Sequence, residues 1–122
     1  MRWVIDAMNV IGSRPTGWWK DRHGAMEDLV DQLERWAKAT GETATVVFER
    51  EPSPPITSDT VEISHSERSG PDAADHEIVR LLREELDPED VRVVTSDRDL
   101  ADRVRENGAA VEPASSFRRR LE

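Results

Sequence analysis

Two aspartates in the sequence follow apolar runs that have the composition of buried strands. Asp6 follows residues 3–5 (WVI), and Asp97 follows residues 93–96 (VVTS). Neighbouring strands of a sheet lie about 4.8 Å apart, so the two carboxylates approach each other if these strands pair in parallel. A third carboxylate, Asp75, lies on the apolar stripe of a predicted helix, which turns it toward the sheet rather than toward water. Asp6, Asp75 and Asp97 therefore form the predicted centre of the site.

The chemistry expected of such a site is the binding of a hard divalent cation. Clustered carboxylates repel each other and burial penalises their charged form, so the acids are costly unless a proton or a cation neutralises them. The sequence has no cysteine, and its histidines lack the i, i+4 spacing of a zinc site. Oxygen ligands alone favour Mg²⁺ or Mn²⁺. The histidines, His23, His65 and His76, are expected to be surface residues.

Two of the candidate acids also have a structural interpretation. Asp75 has the spacing of the third residue of a helix that begins near Asp72, where its carboxylate could reach back to the helix cap. Ser96 and Asp99 have the same capping-box spacing, so Asp99 ranks below the other acids as a metal ligand. Asn9 is expected to hydrogen-bond the first-strand carboxylate or the loop backbone, or to serve a turn.

An alternation of strands and helices must position these residues. Apolar residues at helical spacing over 26–37, with Gly41 as a stop signal, predict the first helix. The repeated order of strand, helix and strand predicts an α/β fold with an open, mostly parallel sheet of roughly four to five strands and helices on both faces. Such a sheet binds ligands at the carboxyl ends of its strands, where the strand order reverses. The predicted strands are residues 3–5, 43–48, 60–64, 91–95 and 109–112, and the later predicted helices are residues 72–86 and 98–106.

Composition limits the class of protein and its partners. At 122 residues the chain is expected to be one domain, residues 1–122, with enough length to bury one core. The absence of cysteine, of a leader segment and of an apolar stretch long enough to span a bilayer predicts a soluble, cytoplasmic protein. The formal net charge of -9 has the wrong sign for a protein that coats nucleic acid non-specifically, although a local basic patch is still allowed.

Three segments of the sequence resemble a known family. The segments VIDAMNVIG (residues 4–12), GPDAADHEI (70–78) and VVTSDRDLADRV (93–104) look like those of the NYN domain in the PIN-like nuclease superfamily, most closely its YacP-like branch. The resemblance covers nearly the whole chain in the expected order. It implies a Rossmann-like PIN/NYN fold with an acidic metal site and, in many members, metal-dependent ribonuclease activity.

Carried over position by position, the resemblance assigns roles to the candidate residues. The catalytic set is Asp6, Asn9, Asp75, Asp97 and Asp99, of which the four aspartates are metal ligands, and Ser96 is a supporting residue. Many members have Ser-Gly-Asp-x-Asp in the late motif, whereas this chain has Thr-Ser-Asp-Arg-Asp. Arg98 between the two acids could therefore form an ion pair and weaken the binding of a metal.

The activity that the resemblance implies is hydrolysis of a phosphodiester bond in RNA by a metal-dependent endoribonuclease. Metal ions activate water and stabilise the developing charge without a covalent intermediate, and Asp99 or Asn9 would orient water or a second, weaker ion. RNA is the expected partner, with the ribosome or other RNA-processing proteins as further candidates, and no membrane partner is expected. Two alternatives stay open: a non-catalytic RNA-binding or partner-binding module of the same fold, which Arg98 and the net acidity favour, and a PIN-type toxin ribonuclease.

The loop of residues 14–22 (RPTGWWKDR) holds the candidate RNA contacts. It leaves the strand end that carries Asp6, and it combines cations with aromatic side chains, on which unstacked bases of single-stranded RNA can stack. In the alternative interpretation one tryptophan packs on the core and the other covers it. Residues 118–120 (RRR) could extend this basic rim or only solvate the C-terminus. The candidate RNA-binding residues are Arg14, Trp18, Trp19, Lys20 and Arg22.

Overall fold

The structure is a computed structural model that describes residues 1–67, 70 and 72–122. The strands are β1 (Arg2–Asp6), β2 (Thr43–Phe48), β3 (Glu62–His65), β4 (Val91–Val94) and β5 (Ala110–Glu112). The α-helices are α1 (Ala7–Ile11), α2 (Arg22–Thr40), α3 (Ala73–Arg83), α4 (Arg98–Glu106) and α5 (Ala114–Leu121). Short 3₁₀ helices at Trp18–Lys20 and Pro88–Asp90 precede α2 and β4. None of the helices within these described ranges is long and apolar enough to cross a membrane.

The strands form one parallel sheet in the order β3-β2-β1-β4-β5. The central strand β1 has β2 on one side and β4 on the other, with Ile5 in register with Val46 and with Val94. The chain moves outward from β1 to β3, then returns to β4 beside β1. The strand order therefore reverses between β1 and β4, where an open α/β sheet binds its ligand. The predicted α/β class with an open parallel sheet is confirmed.

Alternate side chains of the central strands pack on opposite faces of the sheet, because successive residues of a strand point to opposite sides. Ile5 and Val46 pack with residues of α1, α2 and α5, whereas Val4 and Val93 pack with residues of α3 and α4. Full burial of a valine or isoleucine side chain contributes about 1.5–3 kcal/mol. The apolar runs that predict strands therefore also supply the core, and the predicted helices on both faces are confirmed.

Local signals set the ends of helices α2 and α4. Helix α2 begins after Asp21, whose Oδ1 accepts a hydrogen bond from the Gly24 N–H at 2.9 Å, and it ends at Gly41 with φ of 75°. This left-handed conformation favours glycine and stops the helix. Helix α4 covers the predicted residues 98–106 and gives way to Asn107 and Gly108. Capping residues and glycine thus place these helix ends close to their predicted positions.

The structure differs from the sequence prediction in three elements. Helix α1 begins directly after Asp6, where a loop was expected, and α5 follows the last strand, where the sequence predicted no element. Helix α3 ends at Arg83, whereas the predicted helix extended to residue 86, and Leu86 is fully exposed. Short helices such as α1 offer too few turns for a readable apolar period, so their packing decides their structure. Phe117 of α5 is completely buried against Trp3 and Trp36.

Candidate active site

Asp6 ends the central strand β1 and is buried, with 6% of its surface exposed. Its Oδ2 accepts a hydrogen bond from the Thr95 hydroxyl at 3.0 Å. Burial raises the pKa of Asp6 from 3.8 to about 6; the Thr95 hydrogen bond opposes this rise, and the charges of Asp75, Asp97 and Glu49 add to it. Burial and the charges of three other acids thus oppose the ionisation of the Asp6 carboxyl.

Asp97 follows β4 on the neighbouring strand and caps α4. Its Oδ1 accepts a hydrogen bond from the Leu100 N–H at 3.0 Å, and the carboxyl group is exposed to solvent. The predicted capping pair of Ser96 and Asp99 is therefore wrong, because the cap lies one residue later. Asp99 is exposed in the first turn of α4, and Ser96 accepts a hydrogen bond from the Ala114 N–H at 2.9 Å. Asp97 keeps its second carboxylate oxygen for another partner.

Asp75 lies in the first turn of α3 and is half-buried. Burial raises its pKa, with contributions from the charges of Asp97 and Asp72, while Arg103 and His76 act in the opposite direction. Asp72 makes no capping hydrogen bond with its side chain, and the Asp75 carboxylate accepts none from any residue in the described ranges. The capping-box interpretation of Asp75 is therefore wrong.

Asn9 connects the two strand ends that carry Asp6 and Asp97. Its side-chain oxygen accepts a hydrogen bond from the Ser96 N–H at 2.8 Å. The partner is thus loop backbone, one of the predicted options, but it belongs to the loop after β4 rather than to the loop after β1. Because Ser96 also accepts the Ala114 N–H, Asn9 and Ser96 together join α1, the β4–α4 loop and the start of α5.

Two further residues belong to the site and were missed by the sequence prediction. Thr95, 1% exposed, donates to Asp6 and accepts the Asp97 N–H at 3.2 Å, so one hydroxyl positions both acids. Glu49 follows β2 directly, its charge raises the pKa of Asp6, and it lies 3.8 Å from a guanidinium nitrogen of Arg22. The rule that selected Asp6 and Asp97, an acid after a buried strand, also selects Glu49. The partners of Thr95 depend on strand pairing, which the sequence does not state.

The acids share an electrostatic environment but not a common ligand shell. Within the part of the chain that the structure describes, no group of three or more histidine, cysteine, aspartate or glutamate side chains is arranged to hold a metal ion. The effect of Asp75 and Asp97 on the pKa of Asp6 is compatible with this, since Coulomb repulsion acts over many ångströms. A shared shell requires oxygens at about 2.0–2.6 Å from the ion. The described acids therefore lack the close spacing of a preformed ligand shell.

Comparison with known proteins identifies the family. A sequence profile described as the YacP-like NYN domain matches residues 3–122. The chain belongs to this family. The fold of this YacP-like NYN domain is similar to a crystal structure of Rae1 (YacP) from Bacillus subtilis, with a TM-score of 0.80 and 22% identity over 99% of this chain and 73% of that chain. A tryptophan-to-leucine mutant of the same protein gives a TM-score of 0.79 and 21% identity over 99% and 74%.

No curated protein sequence matches the chain. The family profile nevertheless confirms the predicted resemblance to the YacP-like NYN domain. The similar structures confirm the predicted PIN/NYN fold. Membership in this nuclease-related family supports an RNA nuclease function in general terms.

In this YacP-like NYN domain, several side chains of the predicted RNA-contact loop already have contacts within the protein. Arg14 forms an ion pair with Glu122, and Arg22 lies 5.6 Å from the centre of the Trp18 ring. Trp18 packs against the core, whereas Trp19 is 55% exposed. The interpretation of one packed tryptophan therefore fits Trp18. Trp19 and Lys20 are exposed, as are Arg14 and Arg22, which already have these contacts.

The other arginines near the site have contacts that differ from those expected. Arg98 is exposed and makes no ion pair with any residue in the described ranges, so the suspected pairing with Asp97 or Asp99 is absent there. Arg118 donates to the Val10 carbonyl oxygen at 2.9 Å and so satisfies the end of α1. Arg120 binds both carboxylate oxygens of Glu112, at 2.7 and 2.8 Å. Two of the three C-terminal arginines therefore stabilise the fold, and neither suggested role describes them.

Proposed function

We propose that this YacP-like NYN domain hydrolyses phosphodiester bonds of single-stranded RNA with the help of Mg²⁺ or Mn²⁺ at the acidic site. The observation that carries the proposal is the burial of Asp6 at the end of β1, where the charges of Asp75, Asp97 and Glu49 add to burial in raising its pKa. A divalent cation offsets this cost by neutralising the acids. The position of Asp6 and Asp97 at the reversal of strand order is where such folds bind their ligands.

The donor atoms suit a hydrated cation. Asp6 uses Oδ2 for Thr95, and its Oδ1 has no hydrogen-bond partner among the residues that the structure describes. Asp97 uses Oδ1 as a helix cap and keeps Oδ2. Mg²⁺ commonly binds one or two carboxylates and retains several waters. We assign Asp6 and Asp97 as direct ligands, with Asp75 acting through water and Asp99 as a weaker, outer acid.

Each residue of the site has a defined task in this proposal. When bound, the divalent ion supplies a water of lowered pKa and stabilises charge on the phosphate oxygens. Asp75, with its raised pKa, would accept a proton from the attacking water at its carboxylate. Thr95 and Asn9 hold the two strand ends in register through the hydroxyl and amide contacts described above. Trp19 and Lys20 would contact an unpaired base and a phosphate of the substrate.

The decisive experiment is a cleavage assay with labelled single-stranded RNA in Mn²⁺, Mg²⁺ or EDTA. Asp6→Asn and Asp97→Asn should each lower the cleavage rate by about 100-fold or more, as does the loss of one group that stabilises transition-state charge. Asparagine is also a good helix cap, so Asp97→Asn removes charge without removing the Leu100 contact. Asp31→Asn, an exposed change on α2, is the matched control and should cleave normally. Cleavage that persists in EDTA, or in both site variants, would refute the proposal.

A non-catalytic RNA-binding module of the same fold is the second candidate. It is favoured by the lack of a preformed ligand shell among the described acids. This candidate predicts that RNA binds equally well with and without divalent metal and is not cut in any condition. The same assay therefore separates the two functions, because RNA retention and RNA cleavage are measured in one set of samples.

A further inference from the structure

A groove with a volume of about 680 Å³ lies beside the acidic site, between the edge strand β3 and helices α3 and α4. Three arginines line it: Arg80 and Arg83 from α3, and Arg103 from α4. The chain as a whole has a formal net charge of -9, so three cations around one groove depart from the general acidity. Local cations of this kind are what a negatively charged partner requires.

The arginines of the groove differ in how far they are neutralised. Arg80 is held by Glu77, at 2.7 Å, and by Glu84, at 2.9 Å. Arg83 and Arg103 form no ion pair with any residue that the structure describes, although Glu67 lies exposed at the rim. Arg83 and Arg103 are therefore the cations available to a partner, whereas Arg80 is already paired with two glutamates.

The groove is electrostatically continuous with the acidic site. Arg103 and His76, which both line the groove, act on Asp75 in the direction opposite to its acidic neighbours. His76 lines the groove and directly follows Asp75 in α3, so the groove extends to the helix turn that carries this acid. The cations would also compensate the repulsion that an acidic centre exerts on a polyanion.

The third wall of the groove is the edge of the sheet. Among the residues that the structure describes, strand β3 pairs only with β2, and residues 63–66 line the groove. The Ser66 N–H donates to the Phe48 carbonyl oxygen at 3.3 Å. An edge strand such as β3 also presents N–H groups on its open side, and these can donate to phosphate oxygens. A four-residue edge is a short template for an added peptide strand, and two free arginines suit phosphates better than a peptide backbone.

We infer that this groove holds the sugar–phosphate backbone of single-stranded RNA next to the acidic site, with Arg83 and Arg103 each contacting a phosphate. The identity of the substrate rests on the proposed function. The contact between the groove and RNA is measured by binding, without cleavage. The groove inference and the nuclease proposal can therefore fail independently of each other.

The test measures binding of a fluorescently labelled single-stranded RNA in EDTA over a range of KCl concentrations. The variants are Arg83→Gln, Arg103→Gln and the double substitution, with Arg35→Gln as the control because Arg35 is exposed on α2, on the opposite face of the sheet. Loss of two phosphate contacts should weaken binding by about tenfold or more and lower the salt slope by about 1.4, or about 0.7 per contact. Arg35→Gln should leave both quantities unchanged, and circular dichroism melting checks that every variant folds.

Three outcomes would overturn the inference. The first is a double variant that is folded and binds RNA with the affinity and salt slope of the natural sequence. The second is an equal loss in Arg35→Gln, which would mean that only total charge matters. The third is displacement of the RNA by polyglutamate at equal charge concentration, which would assign the groove to acidic polypeptides. If the double variant binds weakly while the natural protein cleaves no RNA, the groove inference stands and the nuclease proposal fails.

Discussion

Replacement of Asp6 by asparagine should stabilise the metal-free protein at neutral pH while it lowers the cleavage rate by about 100-fold or more. In the folded protein the Asp6 carboxyl is buried and near other acids, and its pKa is raised from 3.8 to about 6. Each tenfold change in proton affinity corresponds to about 1.36 kcal/mol, so the ionised carboxylate costs about 3 kcal/mol above pH 6. An asparagine can keep the acceptor for the Thr95 hydroxyl and removes the charge. We expect a gain of about 1–3 kcal/mol in the free energy of unfolding at pH 7.5.

The pH dependence gives this prediction its sign. Between about pH 4 and pH 6 the folded protein retains a proton on Asp6 that the unfolded chain has released. The contribution of Asp6 to stability therefore falls as the pH rises through this window and is constant above it. Asp6→Asn lacks this fall, so its advantage should be near zero below pH 4 and complete above pH 6.

Urea unfolding in EDTA at about pH 4.0, 5.0, 6.0 and 7.5 measures this change in stability, because these pH values bracket the expected titration of Asp6. Asp31→Asn is the control for a change of net charge at an exposed site on α2. A saturating concentration of Mg²⁺ should then stabilise the natural protein through ligand binding to the folded state, and should not stabilise Asp6→Asn. An Asp6→Asn protein that is less stable at pH 7.5, or that has the same advantage at pH 4.0, would refute the reasoning.

Three other contacts of the structure give measurable expectations. Thr95→Val removes the hydroxyl that lowers the pKa of Asp6, so the acidic limb of the pH–rate profile should move to higher pH and urea unfolding should show a loss of about 1–3 kcal/mol; an unmoved limb would contradict the role of Thr95. Arg118→Gln should lower stability by about 1–2 kcal/mol, because the Val10 carbonyl at the end of α1 loses its donor, and a neutral result would remove Arg118 from the capping scheme. Trp19→Ala should weaken RNA binding in a fluorescence titration by about 1–3 kcal/mol while thermal stability hardly changes; unchanged RNA binding would exclude stacking on this side chain.

The central strands β1, β2 and β4 were predictable because they are mostly buried on both faces and therefore appear as mainly apolar runs. Helix α4 was predictable because its apolar period and its following Asn107 and Gly108 agree. Helices α1 and α5 depend instead on contacts that span the chain. Arg118 meets the carbonyl of Val10, and Phe117 meets Trp3, across more than a hundred residues of sequence. No local pattern records such contacts, so residues 118–120 were predicted only to extend the basic rim or to solvate the C-terminus.

The acids of the site were predictable as strand ends, but their surroundings were not. The sequence does not state that β4, rather than β3, lies beside β1, and the contact between Thr95 and Asp6 exists only in that arrangement. The same applies to Asn9, whose partner lies on the loop after β4. Glu49 differs from these residues, because it directly follows the buried strand β2 and the sequence therefore contains the signal that identifies it.

Neutral hydrogen-bond donors hold the carboxylates of Asp6 and Asp97. The fold can therefore position these acids and still leave them available to a cation. The described ranges show no ion pair to Asp6, Asp75 or Asp97; a hydroxyl holds Asp6, and a backbone N–H holds Asp97. An arginine or lysine at hydrogen-bonding distance would have lowered the pKa of Asp6 and stabilised the fold, but it would also have occupied the place of a metal ion. Neutral donors fix the geometry and leave the negative charge uncompensated. The resulting loss of stability, about 3 kcal/mol at Asp6, is of the size that burial of one or two core side chains offsets.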